Sequence, residues 1–281
     1  MAARNRAAPV WALGRWSTPL RGFLMGHWCT LDPMPLAGTL VDGRYRLVRP
    51  LGHGASSVVY FAVGTDGQPY AVKIFPPELS MRADRELRTA GDLAHPRIAR
   101  VLERTEVQGR PSVILHFARG RVMFERFDRR PALTFDRKPF LLSLVHVLDG
   151  LAFMHMRGVV HRDVKPENII VDDEGSAKLV DFDLSGPIRE VFQEPVRVGT
   201  LAFQSPEAAR GEPLGPESDL YGVGLLLYWG LHGELPDPGG FQKSSADVLE
   251  PLRAALMVEA REHRLDDAEE ARAWLLSLAS R

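Results

Sequence analysis

The 281 residues contain one cysteine, Cys29. A single thiol excludes an intramolecular disulfide framework and fits a reducing compartment. Excess charge is also missing: 35 Lys and Arg stand against 36 Asp and Glu, a net charge of -1. That balance excludes both the basic footprint of a nucleic-acid binder and a polyacidic tail. Long hydrophobic runs are absent. The longest, "LYGVGLLLYWGL" (220–231), has 12 residues and follows Asp219 directly, whereas a membrane span needs roughly 20. It reads as a buried helix, so the expectation is a cytoplasmic protein with no membrane span. The first 29 residues carry basic side chains, but Pro and Gly interrupt every apolar stretch, so no cleaved signal peptide is expected. No internal repeat or low-complexity tract stands out.

With 45% hydrophobic residues, the chain can bury one large domain or two modest lobes. Residues 1–36 show no steady period and are rich in Pro, Gly and Trp. They are expected to form a poorly ordered extension, with Met34 as an alternative start. From Leu40 the texture changes. "YRLVRPL", "SSVVYFAV" and "PYAVKIF" are short β-branched and aromatic runs separated by glycine-containing turns, the pattern of an antiparallel meander. A helix is predicted over 81–93, then strands in "IARVLERTEV" and "PSVILHFA" around Gln108-Gly109. Beyond Gly120 helical spacing dominates: Leu141, Leu144, Val145, Leu148, Leu151 and Ala152 define one apolar face, and Gly158 is placed to close that helix. Two strand-like pieces, "NIIVDD" and "AKLVDF", flank the turn "DEGS". A last helix opens at "DDAE", with Asp266 and Glu269 as its capping pair. The expected architecture is α+β and bilobal, with an antiparallel β-rich lobe at about 40–118 and a larger helical lobe at about 121–281.

Four stretches carry chemistry. In "LGHGASSVVY" (51–60), Gly52 and Gly54 lie between strands, where missing Cβ atoms let backbone N–H groups approach a phosphate. Taken alone, such a pair reads as readily as a hairpin turn. In "YAVKIF", Lys73 is the one charge in an apolar strand. It is either an edge lysine reaching water or a phosphate ligand needing a carboxylate partner, for which Glu86 on the predicted helix is available. "VVHRDVKPENII" (159–170) crowds His161, Arg162, Asp163, Lys165 and Asn168 between two apolar runs, more specific polarity than a solvated loop needs. Asp181 follows 13 residues after Asn168 at the end of its own strand. An amide oxygen and a carboxylate at strand ends suit Mg²⁺, which prefers hard oxygen ligands.

In this order the elements resemble a bacterial-type serine/threonine protein kinase over about residues 44–279. The matching residues are His161-Arg162-Asp163…Asn168, Lys73 in "AVKIF", Asp181 in "DFD" and Ser205-Pro206-Glu207. The Asp219 helix matches the family's central buried helix, and Arg264 stands where the family pairs an arginine with Glu207. The resemblance implies a kinase domain over 37–281 that transfers the γ-phosphoryl of Mg-ATP to a protein hydroxyl. Asp163 would be the catalytic base, Lys165 would offset charge on the γ-phosphoryl, and Lys73 paired with Glu86 would hold the α/β-phosphates. Asn168 and Asp181 would bind the metal. The nucleotide would lie against Leu51, Gly52, His53, Gly54, Val59 and Ala71 above and Ile170 below, beside the connector His116-Phe117-Ala118, with Leu115 controlling access behind the adenine. Lys165 and Thr200 resemble the serine/threonine-specific branch, with Thr200 hydrogen-bonding Asp163 and Lys165.

The chain departs from the family in three places. Asp183 replaces the glycine after Asp181-Phe182, which restricts the backbone without removing the metal ligand. "GPIREVFQEPVRV" contains no Ser, Thr or Tyr to carry the phosphate that Arg162 ordinarily awaits, so Glu190 or Glu194 is expected to supply the anion. Ser57 stands at the third glycine position of the phosphate loop. These departures leave one alternative from another class, a catalytically weak pseudokinase acting as a nucleotide-binding scaffold.

Overall fold

The computed structural model describes residues 36–54, 56–127, 131–191, 201–236 and 243–279. The expected N-terminal extension up to residue 35, Cys29, Thr200 and Glu194 lie outside the described residues.

The small lobe is an antiparallel sheet of six strands: β1 (Leu40–Val41), β2 (Tyr45–His53), β3 (Val58–Gly64), β4 (Pro69–Ile74), β5 (Val101–Val107) and β6 (Arg110–His116), in the order β1-β2-β3-β4-β6-β5. Strand alternation decides which side chains face which core. Tyr60, Ala62, Val72, Ile74 and Ile114 point to an outer cluster shared with Val41, Tyr45 and Leu47. Leu36, placed in the extension by the sequence, belongs to that cluster too. The opposite face carries Val59, Ala71, Lys73 and Leu115, matched across the sheet as Val59 with Lys73 and Ala71 with Leu115. The glycine pair is placed differently from the sequence reading. β2 continues through Gly52 and His53, which pair with Val59 and Val58, so Gly52 is a strand residue and only Gly54 opens the turn. The bulge between Pro50 and Gly52 accommodates this extension.

Helix α1 (Ser80–Ala90) crosses behind the sheet. It stops three residues short of the predicted end because Gly91 and Asp92 are poor helix formers, and Leu93 turns into the core instead. The connection to the large lobe passes through β7 (Arg121–Val122), α2 (Met123–Arg126) and α3 (Ala132–Phe135).

In the large lobe, α4 (Arg137–Met156) buries Leu144, Leu148, Leu151 and Met154. Each fully buried leucine contributes about 1.5–3 kcal/mol. By length and composition α4 could cross a membrane, yet half of its apolar window is buried in this fold, as suits a core helix. Its end follows the sequence: Gly158 takes φ +73, and its N–H caps His155 O, a conformation glycine adopts without strain. Then come β8 (Val159–Val160), β9 (Ile169–Val171), β10 (Ala177–Leu179) and β11 (Gly186–Pro187). β9 pairs with β10 across the predicted turn and with β7 on its other side, and β8 pairs with β11.

After α5 (Pro206–Ala209), helix α6 (Pro216–His232) is buried nearly all round. Pro216 opens it and Gly233, at φ +74, closes it. A Cβ at Gly222 would lie 2.9 Å from Val164 Cβ and O, so glycine lets α6 press directly against the segment that holds Asp163. The last helices are α7 (Glu250–Leu256) and α8 (Ala268–Ala279). The cap of α8 differs from the sequence reading. Asp267, not Asp266, accepts hydrogen bonds from the N–H groups of Glu269 and Glu270, because the first helical residue is Ala268 and the capping position lies just before it. The Glu269 side chain turns to Arg272 instead.

Candidate active site

The site lies between the inner face of the small sheet and the 159–183 region. One contiguous core runs through both, joining Phe75, Val113 and Leu115 with Ile169, Leu179 and Phe182. Lys73, projecting from β4 and only 4% exposed, meets Glu86 Oε2 at 2.9 Å and Asp181 Oδ1 at 2.5 Å. The edge-lysine alternative is thereby excluded, since the amine is buried among carboxylates. Burial pushes the Lys73 ammonium down, but Asp181, Glu86 and Asp183 more than reverse it and hold the charge firmly on. Burial drives the Glu86 carboxyl up to about 7, against the pull of Lys73. Asp181 falls well below the usual carboxylate range: burial opposes ionisation, but Lys73 and hydrogen bonds from Lys73 and Asp183 outweigh it.

The second cluster surrounds Asp163. Its Oδ2 accepts from Lys165 Nζ at 2.6 Å and from Asn168 Nδ2 at 2.8 Å, while the same Asn168 amide also donates to Asp163 O. Converging donors fix the carboxylate's orientation. The loop backbone is held from below: Asp219, in the first turn of α6, accepts from His161 N at 2.8 Å and from Arg162 N at 2.7 Å, and pairs with His155 Nε2 at 2.9 Å. Arg162 itself takes φ +70. A β-branched residue would be strained there, and the two bonds to Asp219 hold the conformation.

The donor set fits a divalent cation. Asp181 keeps about a third of its side chain exposed, and Asn168 uses its amide nitrogen on the Asp163 oxygens, which turns its own oxygen away from those acceptors. Both are hard oxygen donors. Cβ atoms built at Gly52 and Gly54 would meet nothing within 4 Å, so the edge of the turn is open to a phosphate. Val59, Ala71, Leu115 and Lys73 share the sheet face above. Ile170 lies on β9, and His116 to Ala118 form the connector leaving β6. Leu51 and His53 sit on the final turnward stretch of β2. Phe61, which the sequence reading passed over, packs edge-on against Phe117 of the connector, with ring centroids 5.0 Å apart. Its pairing opposite Ala71 is the signal that places it on the same face.

A polar seam joins α1 to residues 182–190. Glu86 Oε1 accepts from Phe182 N at 3.3 Å, and Arg82 Nη1 reaches Asp183 Oδ2 at 3.2 Å. Arg85 Nε donates to Ser185 O at 2.8 Å, and Thr89 Oγ1 donates to the same oxygen. Arg82, Arg85, Glu86 and Thr89 fall at i, i+3, i+4 and i+7, one helical face. Glu190 closes the seam by pairing with Arg162 Nη1 at 2.8 Å and with Arg85 Nη2. Glu190, one of the two anions expected from the sequence, stands against Arg162; Glu194 lies outside the described residues. Burial pushes the Arg162 guanidinium down, with Glu190 opposing. Burial likewise pushes the Glu190 carboxyl up, but the two arginines override it and hold it below its ordinary range.

Farther down, Glu207 and Arg264 form a fully buried two-point pair at 2.7 and 3.1 Å, with Ser218 Oγ donating to Glu207 at 2.7 Å.

The family model for a protein kinase domain matches residues 45–278. Among curated relatives, the probable serine/threonine-protein kinase pknA2 of Bifidobacterium longum is 31% identical over 209 residues, 70% of this chain and 27% of that protein. Pkn2 of Myxococcus xanthus is 31% identical over 237 residues, covering 77% and 28%. PknL of Mycobacterium tuberculosis is 31% identical over 250 residues, covering 83% and 61%. The chain therefore spans only about a quarter of the length of the first two. The kinase domain of Mycobacterium tuberculosis PknI shares the fold, with a TM-score of 0.67 at 22% identity over 86% of this chain and 98% of that one. Most of the chain lies inside the matched region, its relatives carry serine/threonine kinase names, and its Lys73–Glu86 and Asp163–Asn168 pairs are assembled, so the chain belongs to the protein kinase family, among its bacterial-type serine/threonine members.

Proposed function

We propose that this chain transfers the γ-phosphoryl of Mg-ATP to a serine or threonine hydroxyl of a protein substrate, acting in the cytoplasm. The observation that carries the reading is the joint presence of Lys73 against Glu86 and Asp181, and of Asp163 oriented by Lys165 and Asn168. Phosphoryl transfer needs little covalent help; it needs positioning and charge neutralisation.

The residue roles follow from that. Lys73, kept charged and aimed by Glu86, binds the α/β-phosphates. Asp163 orients the acceptor hydroxyl and takes its proton as the new O–P bond forms and the bond to the departing ADP oxygen breaks. Lys165, beside Asp163, offsets negative charge on the transferring group. Asn168 and Asp181 would hold a divalent metal ion, which would supply positive charge against the phosphates. Val59, Ala71, Leu115 and Ile170 would enclose the adenine beside His116 and Ala118, with Leu51 and His53 at the rim, and Thr200 would lock the acceptor pocket. Every one of these catalytic positions keeps a competent residue, so nothing favours the scaffold alternative. The deciding experiment incubates the purified chain with Mg²⁺, γ-labelled ATP and a generic protein acceptor. Label recovered as phosphoserine or phosphothreonine supports the reading, and binding of nucleotide without transfer overturns it.

Glu190 adds a regulatory expectation. Because a carboxylate already pairs with Arg162 and Arg85, activity is expected to survive phosphatase treatment unchanged. Glu190→Gln, which keeps size but removes the charge, is expected to lower kcat about fivefold, the order of a charge-assisted hydrogen bond. Loss of activity on phosphatase treatment of the unaltered chain, with a phosphate mapped near 186–200, would rule this out.

A further inference from the structure

Asp183 occupies a node that the proposed reaction does not account for. It is 3% exposed, and its Oδ2 is approached from three elements. Ser56 Oγ, in the turn between β2 and β3, donates to it at 3.1 Å. Arg82 Nη1, on α1, donates at 3.2 Å. Lys73 Nζ stands 3.9 Å away. A glycine at this position could make none of these contacts.

We propose that Asp183 is a positioning residue that ties the phosphate-facing turn and helix α1 to the floor of the cleft. The inference rests on the reading of Lys73, Glu86 and Asp181 as the nucleotide-handling group. It has two arms. Through Ser56, Asp183 adds a side-chain anchor to a turn in which Gly54 N also donates to Ser57 O at 2.8 Å; a turn ordered beforehand loses less entropy when it meets phosphates. Through Arg82, Asp183 fixes the first turns of α1. Arg82 and Glu86 are one helical turn apart on the same face, so holding Arg82 holds Glu86 in reach of Lys73 and of Phe182 N. The same carboxylate thus positions both Ser56 of the phosphate-facing turn and the partner of the phosphate-binding lysine.

The arms predict different kinetic signatures. Ser56→Ala is expected to raise KM for ATP about threefold while lowering kcat less, because it loosens only the turn. Arg82→Met is expected to lower kcat about fivefold while raising KM less, because it lets Glu86 drift. Asp183→Gly, which installs the residue the family uses, should show both effects. Asp183→Asn keeps an oxygen that accepts from Ser56 but removes the charge that pairs with Arg82, so it should retain the KM for ATP and lower kcat by no more than Arg82→Met does. The double variant Ser56→Ala/Arg82→Met should match Asp183→Gly within about twofold, since all three act through one oxygen. Melting temperatures separate these effects from general unfolding. The proposal is overturned if Asp183→Gly leaves both constants unchanged, or if it changes them while Ser56→Ala and Arg82→Met do not. Equilibrium titration with a fluorescent ADP analogue keeps the turn arm testable without catalysis. If the unaltered chain binds that probe but transfers no phosphate, the kinase reading fails, while equal weakening of the probe by Ser56→Ala and Asp183→Gly still supports the node and unequal weakening removes it.

Discussion

Replacing Asp163 by asparagine is expected to slow phosphoryl transfer by about 10²–10⁴-fold, the usual contribution of a positioned general base. The substitution is informative because it preserves shape. An asparagine carbonyl can still accept from Lys165 and Asn168, which now meet Asp163 Oδ2 at 2.6 and 2.8 Å, so the loop stays in place. What disappears is the negative charge that draws the hydroxyl proton. Nucleotide affinity should therefore change little, since Lys73, Glu86 and Asp181 lie in the other cluster. Steady-state rates alongside a nucleotide titration check this. A variant that transfers phosphate at the original rate would remove Asp163 from the reaction. One that loses affinity and rate together would point to a collapsed loop instead.

The second large effect concerns stability. Arg264→Met is expected to destabilise the fold by about 3–5 kcal/mol, read from chemical denaturation, because it strands the Glu207 carboxylate with no exposure to water. Glu207→Gln should cost less, since an amide oxygen can still accept from Arg264 and Ser218. The pair also sets a pH dependence. Burial pushes the Glu207 carboxyl up, but Arg264 and Ser218 outweigh it and leave it below its ordinary value of 4.5. A carboxyl lowered on folding contributes stability that is present above its unfolded value and lost as pH falls through the folded one. The protein should hold this contribution at neutral pH and begin to lose it below about pH 4.5. In Arg264→Met, acid should instead relieve the stranded charge, so the gap between the two proteins narrows as pH falls. A constant gap would show that the pair is not the source.

What the sequence disclosed, it disclosed through local spacing. The Asp163 and Asn168 cluster sits within one short loop, and the strands around it declare themselves by alternation. Lys73 with Glu86 and Glu207 with Arg264 were legible through the family pattern, although 13 and 57 residues separate the partners. The seam along α1 was not. Ser56 and Asp183 lie 127 residues apart and Arg82 and Asp183 lie 101 apart, and no periodicity encodes which loop a helix face will meet. The usable signal was the stripe Arg82, Arg85, Glu86 and Thr89 beside the small residues Ala83 and Ala90, a helix with a polar stripe bordering its buried side. The misplaced cap at Asp266 has a simpler origin. Two adjacent aspartates satisfy the same capping pattern, and only the first helical residue decides between them.

The bonds from Asp219 to the amides of His161 and Arg162 carry a further meaning. Asp219 stands in the first turn of the most enclosed helix of the domain, so the loop bearing the proposed base is rooted in the most deeply packed part of the fold. Exchange of those two amide hydrogens is expected to track the opening of α6 rather than that of the small lobe. The proposed base is thus expected to keep its setting for as long as the large lobe stays folded.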